Sequence, residues 1–343
     1  MPPAGYPPMY PPPMFYPPTQ PPRGSFARAI FTTLATTILG VSLALNVYLL
    51  LASGIGRGAD SITRTTLRTG DATQKIAVIP LNGIILDDAV ARFDRFLKAA
   101  SEDASVKAVV LLIDSPGGGV TASDMIHARL REFRSSKSIP VVISMGALAT
   151  SGGYYVACGA DHIVAQRTTI TGNIGVLLQR FNASGMLEKI GVQDSTITSS
   201  GAPFKDAGSP FRNETPEEKA YLQGLIDSAF VTFKQVVSEG RAGKLTRPLH
   251  EIANGKAYSG EEALRLGLID EIGYLDEAIA QAIARGGLNN PMVERYERSP
   301  TLGEQLFGVS GDRAFPGTVS LTLDVDALRG LAAPRLMYLW TGH

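Results

Sequence analysis

The chain has 343 residues, of which 44% are apolar and 19% charged, so it is long enough to bury a sizeable core. Its 32 basic residues balance its 32 acidic ones, and no long run of one charge occurs. That balance argues against nucleic acid as a partner, because such binding depends on clustered positive charge. The single cysteine, Cys158, excludes an intrachain disulfide and is expected to be a packed core thiol. The four histidines show no metal-ligand spacing, so no metal site is predicted.

Residues 1–25 are predicted to form a proline-rich disordered tail. Half of the 22 prolines lie in residues 1–22, interleaved with Tyr, Met and Gly. Proline lacks the amide hydrogen that helices and sheets require, and a segment of this composition buries too little apolar surface to order itself. We expect a solvated tail rather than a ligand for a proline-recognising partner.

Residues 26–53 are predicted to form one transmembrane helix, which would place the protein in the cell membrane. No charged residue occurs from Ala29 to Ser53. A helix of that length spans roughly 37 Å, more than the bilayer core of about 30 Å. The run is long for a cleaved signal sequence, which is the alternative, and no convincing cleavage site follows it. Arginines flank both ends, so charge does not determine the orientation.

A predicted linker, residues 54–75, precedes a pattern of alternating strands and helices. Apolar runs predict strands over Ile76–Leu81, Ala108–Ile113 and Pro140–Ser144, and apolar residues at helical spacing predict helices over Asp88–Ala100 and Thr121–Phe133. Wholly apolar strands that alternate with helices indicate a parallel sheet covered by helices, which is an α/β fold.

The glycine-rich segment Asp114–Gly119 follows a predicted strand and leads into a helix. Glycine lets backbone amides approach a ligand closely, and the start of a helix carries a partial positive charge. The segment could hold an oxyanion or a phosphate, although it lacks the Lys-Ser/Thr pair of a nucleotide-binding loop. A tight turn between strand and helix explains the glycines equally well.

Ser151 opens a predicted helix and is followed by Gly152 and Gly153. That position exposes the hydroxyl and leaves the next amide free, which suits a nucleophile with an oxyanion donor beside it. The segment departs from the G-x-S-x-G elbow, since Ala149 stands where that motif has glycine. A serine that only caps its helix is the alternative interpretation.

Lys205 lies in the Gly- and Pro-rich loop Ser199–Pro210, before the longest predicted soluble helix, Thr215–Glu239. Thr215 can cap that helix, and a proline and two acids follow it. Lysines are normally solvated, but an amine that is desolvated beside Ser151 can act as a neutral base.

Taken in this order, these segments resemble the signal peptide peptidase A family of serine–lysine proteases. The resemblance predicts a protease domain over residues 76–287 and a C-terminal extension over residues 288–343, which ends in the apolar run Leu336–Trp340. Its specific parts are Ser-Gly-Gly-Tyr-Tyr at 151–155, Thr-Gly-Asn-Ile-Gly-Val at 171–176, Lys-Asp-x-Gly-Ser-Pro at 205–210, and the segment Gly255–Asp270, which Clp-type proteases and crotonases share more loosely.

The resemblance implies a Clp/crotonase-like fold of repeated strand–helix units with parallel sheet, preceded by one transmembrane helix. Ser151 would be the nucleophile, Lys205 the general base, and the amides of Gly118 and Gly152 the oxyanion hole. The family usually has Thr-Gly-Ser where this chain has Thr-Gly-Asn, and that serine helps to position the lysine. The amide oxygen of Asn173 can accept from the lysine amine and retain this role.

The implied reaction is transfer of an acyl group from a peptide to Ser151 and then to water, without a metal or organic cofactor. The family further implies a ring-like homo-oligomer in which Ser151 and Lys205 meet across a protomer boundary. Its substrates are remnant signal peptides and other unfolded apolar peptides, and its catalytic domain lies outside the cytoplasm.

Three other functions remain open at this point. A crotonase-like acyl-CoA enzyme would share the fold unit but needs neither Ser151 nor an anchor. A Clp-type Ser–His–Asp protease would have to use His162, which we expect at a strand edge. A catalytically silent membrane scaffold would keep the ring without the activity, a reading that Asn173 favours and that intact Ser151 and Lys205 oppose.

Overall fold

The structure is a computed structural model that describes residues 25–54, 62–299 and 336–342. The chain divides into two compact units, residues 1–59 with 300–313 and residues 60–299 with 314–343. In the first unit the described residues form one helix, α1 (Ser25–Gly54). By length and composition its Arg28–Tyr48 portion can cross a membrane, a test that a signal sequence would also pass. The predicted tail lies outside the described residues, except for Ser25.

The second unit contains alternating strands and helices. The strands are β1 (Ile62–Arg68), β2 (Asp71–Asn82), β3 (Val106–Ser115), β4 (Gly117–Gly119), β5 (Val141–Thr150), β6 (His162–Ala165), β7 (Ile170–Gly172), β8 (Leu177–Leu178), β9 (Ala257–Ser259), β10 (Glu271–Ile272), β11 (Pro291–Arg298) and β12 (Leu336–Leu339). The helices are α2 (Asp87–Glu102), α3 (Val120–Lys137), α4 (Gly152–Ala157), α5 (Ser184–Lys189), α6 (Pro216–Gly240), α7 (Leu249–Ile252), α8 (Gly260–Leu266) and α9 (Leu275–Gly286).

The main sheet has the strand order β1-β11-β2-β3-β5-β6-β10, and the short strand β7 pairs with the last residues of β5 and with β9. Neighbouring strands from β11 to β10 are all parallel, and so are β5 and β7. The antiparallel pairs are β1 with β11 and β9 with β7. The predicted α/β fold with mostly parallel sheet is therefore confirmed. A second sheet, in the order β4-β12-β8, lies at the carboxyl end of β3.

Both faces of the central strands are buried, which explains their continuous apolar sequences. Along β2, Ala77 and Ile79 belong to the larger core cluster, together with the buried residues of α2, α3 and α4. Ile76 and Val78 point to the other face and pack with the apolar side of α9. The sheet is thus the middle of three layers.

The predicted boundaries on either side of the protease domain differ from the structure. Residues 62–68, expected to be linker, form β1, and β2 begins at Asp71. Residues 291–298, expected to lie in an extension, form β11, the second strand of the sheet order, between β1 and β2. The strand β1 was not predicted because it is an exposed edge strand. It is rich in β-branched Thr, but it has no buried face and therefore no alternation of apolar and polar residues.

Candidate functional site

Ser151 stands at the junction between β5 and α4 in an unusual backbone conformation. Its φ is +53° and its ψ is −114°, a region that non-glycine residues rarely adopt. Its amide donates to the carbonyl of Gly172 at 2.8 Å, and its carbonyl accepts from the amide of Tyr155 at 2.8 Å. Strain of this kind persists only where the surroundings enforce it, and these two bonds do so.

The hydroxyl of Ser151 is buried and has no hydrogen-bond partner among the described residues. It makes no capping bond to α4, so the interpretation of Ser151 as a mere helix cap is wrong. A buried donor that stays unpaired is costly to the fold. Ser151 therefore has the geometry of a group kept available for a ligand.

The glycine strand β4 runs beside Ser151 and is held from the opposite side. The Ile85 amide donates to the Gly117 carbonyl at 2.9 Å, and the Gly119 amide donates to the Ile85 carbonyl at 2.8 Å. The amide of Gly118 points the other way because neighbouring residues of a strand alternate their bonding sides. A Cβ on Gly118 would lie 2.0 Å from the Ile85 carbonyl oxygen, so only glycine fits there.

The backbone of Gly152 lies against that of Gly118. A Cβ on Gly152 would be 3.1 Å from the Gly118 amide nitrogen and 2.4 Å from the hydroxyl oxygen of Ser123. The structure thus brings the two predicted oxyanion amides together beside Ser151. Sequence reasoning missed Ser123, whose buried hydroxyl has no partner among the described residues.

The segment Thr171–Asn173 supports the end of β5. The Thr171 hydroxyl donates to the Ala149 carbonyl at 2.7 Å. Asn173 has a φ of +52°, and its side-chain Nδ2 donates to the carbonyl of Gly255 at 2.6 Å. Among the residues that the structure describes, its Oδ1 accepts no hydrogen bond, which leaves this oxygen free for an incoming donor.

Lys205 is exposed in its loop and makes no hydrogen bond to the Ser151 hydroxyl of its own chain. The loop itself is anchored. Arg212 donates to Asp206 at 2.9 Å and to the buried Glu218 at 2.9 Å. Hydrogen bonds from this guanidinium lower the pKa of Glu218 to about 2. Arg212 therefore ties the lysine loop to the start of α6, where Thr215 caps the helix as predicted and Glu218 completes a capping box.

His162, which a Ser–His–Asp protease would have to use, lies far along the sheet from Ser151. His162 opens β6 opposite Val142, near the start of β5, whereas Ser151 follows its end. Nine residues of strand correspond to roughly 30 Å, so a Ser–His pair with His162 is absent from the chain. His127 packs edge-on against Tyr155, with 5.2 Å between the ring centroids, and burial lowers its pKa to about 4.

Cys158 is buried, and burial raises the pKa of its thiol to about 12, in agreement with the predicted packed core thiol.

The strand β12 occupies the open edge of the glycine strand, which sequence reasoning did not foresee. It pairs antiparallel with β4, with Tyr338 opposite Gly118, and its other edge pairs with β8. The amide of Trp340 donates to the carbonyl of Pro116 at 2.9 Å. The only sequence signal was the apolar character of Leu336–Trp340, which indicates burial but not position.

A cavity of about 620 Å³ lies where β12 ends. Its lining includes Asn173, Lys256 and Leu339–Thr341. Its volume exceeds that of a single amino-acid side chain, and Asn173 is one of the residues that line it.

Comparison with known proteins identifies the family. Residues 133–289 match the sequence profile of peptidase family S49, and residues 68–171 match that of Clp protease. A protein of Enterococcus faecium named as a signal peptide peptidase, SppA, is 36% identical over 255 residues, which cover 71% of this chain and 73% of the relative. The chain belongs to peptidase family S49.

Further relatives of this S49 peptidase also carry protease names. A protein of Synechocystis sp. named as a protease is 38% identical over 221 residues, covering 64% of this chain and 78% of the relative. Protease 4 of Haemophilus influenzae is 35% identical over 218 residues, covering 61% of this chain and 34% of that longer protein. A solved membrane-bound stomatin-specific protease aligns over 66% of this chain and 99% of its own, with 20% identity and a TM-score of 0.43. The family profile and the sequence relatives confirm the predicted resemblance to the signal peptide peptidase A family, and the chain is a peptidase.

Proposed function

We propose that this S49 peptidase is a membrane-anchored serine endopeptidase that hydrolyses remnant signal peptides and other unfolded apolar peptides. The observation that carries the proposal is the strained, buried and unpartnered hydroxyl of Ser151 beside the amides of Gly118 and Gly152. Helix α1 would hold the protein in the cell membrane, with the peptidase unit on the extracytoplasmic side.

In the proposed reaction, neutral Lys205 removes the proton of the Ser151 hydroxyl, and the oxygen attacks a peptide carbonyl. The Gly118 and Gly152 amides stabilise the tetrahedral oxyanion, an effect worth about 2.7–4 kcal/mol for one donor. Lysine then protonates the leaving amine, and a water molecule releases the acyl group in a second cycle.

The lysine is proposed to come from a neighbouring protomer of a ring-like homo-oligomer. Two observations favour this arrangement: Lys205 is exposed and does not bond to Ser151 of its own chain, and the cavity beside Asn173 can admit a side chain. The free Oδ1 of Asn173 would accept a hydrogen bond from the amine and position it.

Mixing of inactive variants tests the nucleophile, the base and their arrangement together. The full chain should hydrolyse an unfolded apolar peptide and react with a fluorophosphonate at Ser151, whereas Ser151→Ala and Lys205→Ala should each lose activity by at least about 10³. If the pair forms between protomers, rings that contain both variants should regain part of the activity, because some sites combine an intact Ser151 with an intact Lys205.

The mixing experiment needs one control variant, and each assignment has its own contradicting result. Lys219→Ala, at another exposed lysine, should keep full activity. Full activity of Lys205→Ala would show that the base is a different group. Mixed rings without recovered activity would place both groups in one chain. A folded wild-type protein that neither labels nor hydrolyses would instead support the silent scaffold.

A further inference from the structure

The hydroxyl of Ser115 joins two segments behind the candidate oxyanion amides. Ser115 is the last residue of β3 and is fully buried. Its hydroxyl donates to the carbonyl of Gly83 at 2.6 Å and accepts from the amide of Gly117 at 3.0 Å. One serine side chain therefore connects the loop after β2 to the beginning of the glycine strand β4.

The two bonds of this hydroxyl continue a ladder of main-chain bonds between the same two segments. The Gly83 amide donates to the Asp114 carbonyl at 2.9 Å on one side of Ser115. On the other side, the Ile85 amide donates to the Gly117 carbonyl at 2.9 Å. The φ of Gly117 is +97°, so the chain turns at this residue. At the turn, a side chain supplies the bonds that main-chain groups make on either side of it.

The peptide groups on either side of Gly117 decide where the Gly118 amide points. The carbonyl of Gly117 and the amide of Gly118 belong to one planar peptide group, so they point in opposite directions. Ile85 holds that carbonyl on the far side, and the amide consequently faces the site. Because glycine at a positive φ meets little steric resistance to rotation, the orientation also depends on the preceding peptide group. The Ser115 hydroxyl holds that group through the Gly117 amide.

Ser115 also contacts the other half of the candidate site. In the pairing of β3 with β5 it lies opposite Ala149, near the end of β5. A Cβ on Gly153 would lie 3.2 Å from the Ser115 carbonyl oxygen and 3.5 Å from the Ser115 Cβ. Ser115 therefore contacts both the glycine strand, which carries the Gly118 amide, and the start of α4, which carries the Gly152 amide.

We propose that Ser115 is a positioning residue, which orients the Gly118 amide toward the oxyanion through its bond to Gly117. The inference rests on the function proposed above, because it assigns a cause to the direction of one of the two oxyanion donors. Without the hydroxyl, the buried Gly117 amide loses its partner, and the peptide group between Gly117 and Gly118 can rotate away from the site. The transition state then loses a donor while the substrate still binds, so kcat rather than KM changes.

Ser115→Ala tests the proposal on the full chain in detergent, with an unfolded apolar peptide as the substrate. We expect kcat to fall at least about tenfold, towards the loss of about 10²–10³ for a missing oxyanion donor. KM should stay within about threefold of the wild-type value. Thr246→Val is the matched control, because it removes a hydroxyl that donates to the Arg265 carbonyl at 2.8 Å, outside the site. Its kcat should stay within about twofold.

A peptide aldehyde that ends at the cleavage position of the assay peptide separates an oxyanion effect from a general loosening of the fold. Its adduct with Ser151 carries an oxygen in the oxyanion position, whereas the matching peptide alcohol binds without forming an adduct. In Ser115→Ala, the inhibition constant of the aldehyde should rise by about the same factor as kcat falls, and that of the alcohol should stay within about threefold. An equal change for both compounds, or no change for either, overturns the positioning role.

Ser115→Cys keeps a group of similar size and decides the matter if Ser115→Ala does not fold. A thiol is a weak donor and a weak acceptor, so kcat should fall at least about threefold. Thermal unfolding verifies that each variant is folded at the assay temperature. Full kcat in either folded variant overturns the positioning role.

Failure of the positioning role and failure of the proposed function give different results. A wild-type protein that hydrolyses the peptide, together with a folded Ser115→Ala protein of unchanged kcat, overturns the positioning role alone. A folded wild-type protein that neither reacts with a fluorophosphonate at Ser151 nor hydrolyses the peptide overturns the proposed function, and the role of Ser115 with it.

Discussion

Replacing Gly118 with alanine tests the oxyanion site because the added methyl group has no room. It would lie 2.0 Å from the carbonyl oxygen of Ile85 and 2.6 Å from the carbon and nitrogen of that residue. Since such contacts are normally about 3.5 Å or longer, the two segments must separate by more than about 1 Å. Ile85 bonds to both neighbours of Gly118, so the Gly118 amide has to move with the strand.

We expect kcat for peptide hydrolysis to fall by about 10²–10³, the usual loss when one oxyanion donor is removed. Gly119→Ala is the matched control, since its methyl group would meet nothing closer than the Ala122 Cβ at 3.7 Å. Its kcat should stay within about threefold, in line with a substitution that has space. Thermal unfolding of each variant verifies that it is folded at the assay temperature. Equal losses in the two variants, or full activity of a folded Gly118→Ala protein, would refute the reasoning.

Three further predictions concern pH, the lysine loop and the membrane. Acidification from pH 6.5 to 4 should lower the free energy of unfolding by about 3 kcal/mol through His127, because burial lowers its pKa from 6.5 to about 4 and the unfolded state takes up the proton first. Denaturant titrations should show that the free energy of unfolding of His127→Gln lacks this pH dependence, and an identical pH dependence in the variant would contradict the assignment. Arg212→Gln should lower kcat at least about tenfold at similar KM, because Arg212 anchors the loop of Lys205. Arg212→Lys should restore only part of kcat, and complete restoration would mean that a positive charge at this position is enough to hold the loop. Alkaline carbonate should leave the full chain in the membrane pellet, whereas a chain with Leu39→Asp and Leu43→Asp in α1 should wash free, and release of the unaltered chain would exclude a spanning helix.

The elements that carry the site could be predicted because strands that are buried on both faces have continuous apolar sequences. The strands β3 and β5 are apolar along nearly their whole length, and each ends in a segment whose small residues the structure explains. Gly118 has to be glycine because of Ile85, and Gly152 because of Ser123. Local patterns singled out Ser151, Gly118 and Gly152, which the structure places side by side, and they singled out Lys205 without indicating where it lies relative to Ser151, because its exposed loop carries no burial pattern.

The domain boundaries and the placement of β12 were missed for a different physical reason. An edge strand such as β1 has no buried face and leaves no alternation to detect. The placement of β12 depends on main-chain atoms of Gly118, which every residue type possesses and which no side-chain pattern reports. The packing of the Tyr338 ring against Tyr155 and Phe233 favours this register over the neighbouring ones.

The same fact separates the two contributions that hold β12 in place. Main-chain pairing along β4 and β8 accepts a strand of almost any sequence, because the bonds involve only backbone groups. Preference for one sequence therefore has to come from the side chains that leave the strand and enter the protein. On β12, Tyr338 is fully buried while Leu336, Met337 and Leu339 are only partly so. The packing of Tyr338 against Tyr155 and Phe233 is therefore what favours this segment of the chain, in this register, at the edge of β4.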